Sequence, residues 1–74
     1  MRKNPFKLNQ NVRFAPKSDT WEKNYSADGV RPGDIGVVVG VDFDDDVVVN
    51  FVRQDGSICE HFFAFIEDVE AVDD

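Results

Sequence analysis

Asp55-Gly56, set between Val47-Val48-Val49-Asn50-Phe51-Val52-Arg53 and Ile58-Cys59-Glu60-His61-Phe62-Phe63, is the feature that most limits what this chain can become. Asp-Gly between two runs rich in β-branched and aromatic residues is the strongest short hairpin signal, because glycine reaches the positive φ that such turns need. The second run is therefore expected to fold back antiparallel on residues 47 to 53. Along the first run Val47, Val49 and Phe51 share a face at the two-residue strand period and are predicted core. On the second, Ile58, Glu60 and Phe62 alternate with Cys59, His61 and Phe63. Neither face is purely apolar, so both orientations stay open.

The rest of the chain repeats this grammar. No segment carries a 3.6-residue apolar period, and the apolar runs are short and divided by turn residues, which is an all-β pattern. Asn11 to Ala15 reads as a first strand with Val12 and Phe14 inward and Arg13 outward, ended by Pro16, which cannot donate to a ladder. Asp34 to Phe43 reads as a curved strand, kinked at Gly36 and Gly40. Asp44-Asp45-Asp46 forms its turn. Ala64 to Val72 reads as a turn, at most one of 3₁₀ helix, followed by a closing strand through Val69 and Val72. Seventy-four residues make one domain. A chain of this size buries only about 60% of its unfolded surface, which leaves roughly 3 to 5 kcal/mol of net stability and no room for a large enclosed cavity.

The organisation expected is a basic N-terminal arm over residues 1–10, a single barrel over 11–72 and an acidic tail at 73–74. Between the first two strands, residues 16–33 form a polar loop punctuated by Asp28-Gly29 and Arg31-Pro32-Gly33. A loop that long in so small a domain tends to be functional or mobile. It carries the single Trp and single Tyr, Trp21 and Tyr25. Trp21 either folds back as a lid over one barrel end or, with Tyr25, offers an aromatic contact surface.

Five strands, a long first loop, two tight hairpins and a one-turn break before the last strand follow the order of an SH3-like small barrel. The runs Gly33-Asp34-Ile35-Gly36-Val37-Val38-Val39-Gly40-Val41, Val47-Val48-Val49-Asn50-Phe51 and Phe65-Ile66-Glu67-Asp68-Val69-Glu70 resemble small barrels of the KOW, Tudor and Mind bomb/HERC2-repeat kind. The resemblance covers residues 11 to 72 in short elements and implies the fold. It also implies where a Tudor-like aromatic cage would form, from Trp21, Tyr25 and Phe43 beside an aspartate of the Asp42-Phe43-Asp44-Asp45-Asp46 tip. The chain departs from nucleic-acid-binding KOW barrels at that tip, where clustered carboxylates would repel phosphate.

Charge is distributed unevenly. Residues 1 to 31 hold seven Lys and Arg against three acids, whereas residues 32 to 74 hold Arg53 alone against twelve, within a total of −7. An acidic surface serves solubility or meets a basic partner. The alternating Asp42, Asp44 and Asp46 begin like a calcium loop, but Val47 and Arg53 stand where that loop needs Gly and Glu. One Cys and one His cannot complete a four-ligand zinc site. Cys59 with His61 as a nucleophile and base would need proximity and a cleft, and a lone strand thiol usually packs as a small apolar group. No metal, cofactor or catalytic residue is expected. Cys59 has no disulfide partner within the chain, so a reducing cytoplasm fits best, and no apolar stretch suits a membrane.

Two functions remain. The first is a non-enzymatic module that binds a peptide or larger protein through Trp21, Tyr25 and Phe43. The second is an acidic inhibitor whose carboxylates at Asp34, Asp42, Asp44, Asp45, Asp46, Glu67, Asp68, Glu70, Asp73 and Asp74 occupy the basic surface of a nucleic-acid-binding protein, in place of phosphates. Direct nucleic-acid contact through Arg2, Lys3, Lys7, Arg13 and Lys17 ranks below both. An exposed edge strand would close a homo-oligomer as readily as it binds a ligand.

Overall fold

Strand signals and turn signals resolve into β1 (Asn11–Phe14), β2 (Ile35–Gly40), β3 (Asp46–Val52), β4 (Ile58–Phe65), a 3₁₀ turn (Ile66–Asp68) and β5 (Val69–Ala71). The structure, a computed structural model, describes residues 4–17, 29–41 and 45–72. All pairings are antiparallel, in the order β4-β3-β2-β1-β5. The first four strands form a meander, and the 3₁₀ turn carries the chain back so that β5 pairs with β1. This is the expected all-β, SH3-like five-stranded small barrel with one 3₁₀ turn.

Val12, Phe14, Val47, Val49 and Phe51 are buried as alternation predicts. Phe14, Phe51 and Phe62 form the centre, their rings meeting edge to face at 5.3 to 5.8 Å, the favoured geometry for aromatic pairs. Val38, Ala64, Cys59, Val69 and Val30 complete the core. Val30 stands alone among polar residues in the sequence, and no periodicity marks it as core.

The open question of the β4 face is settled by a bulge. Val49 pairs with Phe62, but Phe51 pairs with Cys59, so Asn50 alone opposes both Glu60 and His61. The extra residue reverses the alternation, and Cys59 and Phe62 both point inward although they lie three positions apart. His61 absorbs the irregularity at φ 55°, uncommon for a non-glycine residue. Its amide donates to Asn50 Oδ1 at 2.9 Å, which replaces the ladder bond that the bulge removes.

Gly36 and Gly40 do different things, contrary to the expected kink at each. A register shift between Val38 and Gly40 leaves Val39 as the extra residue of a second bulge. At Gly36 the pairing runs through without a break. The glycine is needed there for space, because a Cβ would lie 2.6 Å from the Asn50 carbonyl oxygen and 2.6 Å from Val49 Cγ1.

At the β3–β4 hairpin Gly56 takes φ 89°, and Arg53 N donates to the Ser57 carbonyl at 2.7 Å. Asp55 Oδ1 accepts from the Ser57 hydroxyl at 2.6 Å and from the Ser57 amide at 2.9 Å. These bonds, the hydroxyl first, hold the Asp55 carboxyl below the ordinary aspartate range. A carboxyl depressed in the folded state adds stability that is complete above its unfolded pKa, about 4, and is lost as pH falls through the lowered value. A carboxyl NMR titration should find Asp55 below an unstructured aspartate and find it raised by Ser57→Ala. An unchanged midpoint in that variant would show that the serine hydroxyl is not the cause.

Candidate interaction surface

The long loop leaves and re-enters the barrel through a small hydrogen-bonded frame. Gly33 N donates to the Phe14 carbonyl at 2.8 Å, and Phe14 N donates to the Asp34 carbonyl at 2.9 Å, which clamps the two loop ends side by side. Gly33 takes φ 98°, a left-handed conformation that favours glycine. The Asp34 side chain is buried, yet both its oxygens are satisfied: Arg31 N donates to Oδ2 at 2.9 Å and Gln54 Nε2 to Oδ1 at 3.0 Å. Asp34 therefore ties the loop exit to the β3–β4 hairpin. This corrects the expectation that Asp34 belongs to the acidic surface: its carboxylate is buried and spent on the loop frame.

Trp21, Tyr25, Phe43, Asp42 and Asp44 lie outside the described residues. Asp45 is exposed and Asp46 half-buried at the start of β3. The Asp45 carbonyl accepts from Ile66 N at 2.9 Å, which sets Asp45 beside the 3₁₀ turn that carries Glu67 and Asp68, some twenty residues later in the sequence. Asn4 Nδ2 donates to the Asp46 carbonyl at 3.0 Å, and Phe6 packs against the core, so residues 4 to 10 lie along the barrel. The ladder continues there, with Asn9 N to the Val38 carbonyl at 2.8 Å and Val38 N to the Gln10 carbonyl at 2.9 Å.

Sequence alternation does not reveal the outer apolar face, because the β4 bulge hides it. Outward residues align in rows across the strands. Val52 pairs with Ile58, Gly36 with Phe51, and Arg13 with Ile35, so Ile58, Val52, Ile35 and Arg13 follow one another from β4 to β1. Arg13 meets Glu70 of β5 at 3.3 Å. Both ends of that pair are exposed, and such contacts contribute little. Phe63 stands opposite Val48, which is buried yet lies outside the core cluster. Ile35, Val37, Val52, Ile58 and Phe63 are all exposed, the last two by more than half.

The bulge also separates Cys59 from His61. Cys59 is buried in the core and His61 is exposed, which corrects the expectation that they share a face. Among the described residues no three His, Cys, Asp or Glu side chains are grouped to hold a metal, and no helix is long and apolar enough to cross a membrane. No family model, curated protein or solved structure matches the chain.

Proposed function

We propose that this chain is a non-enzymatic module that binds a peptide or a larger protein through its long first loop, with Trp21 and Tyr25 as aromatic anchors and Phe43 as a further contact. The observation that carries this reading is the frame of Phe14, Gly33 and Asp34, which holds both loop ends on the barrel. A loop mounted on a fixed scaffold is the usual place for recognition, and large aromatic side chains give contact area at small entropic cost. The separation of Cys59 from His61 supports a non-catalytic role, and a sequence with a single cysteine suits a reducing cytoplasm.

A second reading is favoured by the Asp45–Ile66 hydrogen bond, which sets Asp45 beside the 3₁₀ turn with Glu67 and Asp68. It makes the chain an acidic inhibitor of a nucleic-acid-binding protein. Affinity capture from lysate, eluted with rising salt, separates the two. The module reading expects a salt-resistant partner that Trp21→Ala loses while thermal unfolding stays unchanged. A partner shed at low salt and lost with Asp45→Asn, but indifferent to Trp21→Ala, would replace the module with the inhibitor.

A further inference from the structure

We infer that the outer face of β2, β3 and β4 is a second contact surface, whose occupant is a protein segment with apolar side chains bordered by lysine or arginine. This rests on the module reading and names the chemistry of its partner. The apolar part is the cross-strand row Ile35, Val52 and Ile58, extended by Val37 and Phe63. With neighbouring strands about 4.8 Å apart, the row forms a strip roughly 10 Å long across three strands. These residues are not surplus core: Val12, Phe14, Val38, Val49, Phe51 and Phe62 already fill the interior from the opposite face. An exposed apolar row such as Ile35, Val52 and Ile58, running unbroken across three strands, marks a contact site.

The border determines the partner's charge: at the β1 end of the row Arg13 is paired with Glu70 at 3.3 Å, and the β3 and β4 side is acidic. Residues 45 to 68, which supply β3, β4, their hairpin and the 3₁₀ turn, carry six acids against Arg53. Glu60 lies on β4 between Ile58 and Phe63, and Asp55 and Glu67 are exposed at the two ends of that strand. The Arg53 guanidinium is engaged with Ser57 Oγ at 3.0 Å. A second copy of the chain would bring the same acids against each other, with −7 on each molecule. A cationic border on the partner instead pairs with them. The β4 bulge favours docking on the face over extension of the sheet, since a bulged edge interrupts the regular ladder that an added strand needs.

The test is fluorescence anisotropy of labelled short peptides titrated with the full chain: leucine–lysine, serine–lysine of equal charge, and leucine–glutamate. The leucine–lysine peptide should bind best, and Ile58→Ser or Val52→Ser should each weaken it by about tenfold with the melting temperature nearly unchanged, because both side chains are exposed. Glu60→Gln should weaken it at low salt and less at high salt. Equal binding of serine–lysine would overturn the inference in favour of charge alone, and equal binding of leucine–glutamate would remove the role of the border. A dimer in sedimentation that Ile58→Ser disperses would make a second copy the occupant and overturn it too. Indifference of peptide binding to both serine variants sinks the outer face while a Trp21-dependent captured partner leaves the module reading standing.

Discussion

Replacing Gly36 with alanine should remove most of the protein's stability, although it adds a single methyl group. The new Cβ would meet the Asn50 carbonyl oxygen and Val49 Cγ1 at 2.6 Å and Phe51 Cδ1 at 2.8 Å. A carbonyl in the β2–β3 ladder cannot move without breaking the pairing, and Phe51 sits at the centre of the aromatic cluster. Overpacking of this kind costs about 3 kcal/mol. The whole domain holds only roughly 3 to 5 kcal/mol. Gly33 serves as the control, since nothing lies within 4 Å of its Cβ position and only its φ of 98° resists substitution. Gly33→Ala should lose about 1 kcal/mol. Urea unfolding followed by circular dichroism compares the two. A Gly36→Ala protein as stable as wild type would mean that β2 and β3 are further apart than described.

Phe62→Ala and Phe63→Ala, adjacent in sequence, should differ by several kcal/mol. Phe62 is 2% exposed and contacts both Phe14 and Phe51 edge to face, whereas Phe63 is 56% exposed on the outer surface. Truncating a buried phenylalanine costs about 3 to 5 kcal/mol, enough to abolish folding here. An exposed one costs about 0.5 kcal/mol. Equilibrium unfolding of both variants tests the bulge directly. In a regular strand with Cys59 inward, His61 and Phe63 would also face inward and Phe62 outward, so the reverse ranking would show that no residue is inserted at Glu60–His61.

The two expectations also mark where sequence reasoning stops. The Asp55-Gly56 turn, the alternation of Val47, Val49 and Phe51, and the inward Val12 and Phe14 were legible because each depends on residues one or two positions apart. Turn geometry and strand pleat are local properties, so the chain alone determines the all-β order and the position of each hairpin. The candidate site was legible only as composition: an aromatic loop and an acidic tip, Trp21, Tyr25, Phe43 and Asp42 to Asp46, with nothing in their spacing to bring them together.

Other features required the partner strands. Whether Glu60–His61 bulges depends on what Asn50 offers across the ladder, and that single insertion decides which side of β4 is core. Gly36 reads as a bend in the sequence and proves to be clearance for Phe51 and the Asn50 carbonyl. Val30 looks like an ordinary loop residue and Asp34 like the start of a strand, yet one enters the core and the other clamps Arg31 to Gln54. The outer row Ile35, Val52 and Ile58 exists only once three strands are in register. Alternation along a strand fixes faces relative to one another, but which face meets the core is set by contacts between residues distant in sequence, and those form only when the barrel does.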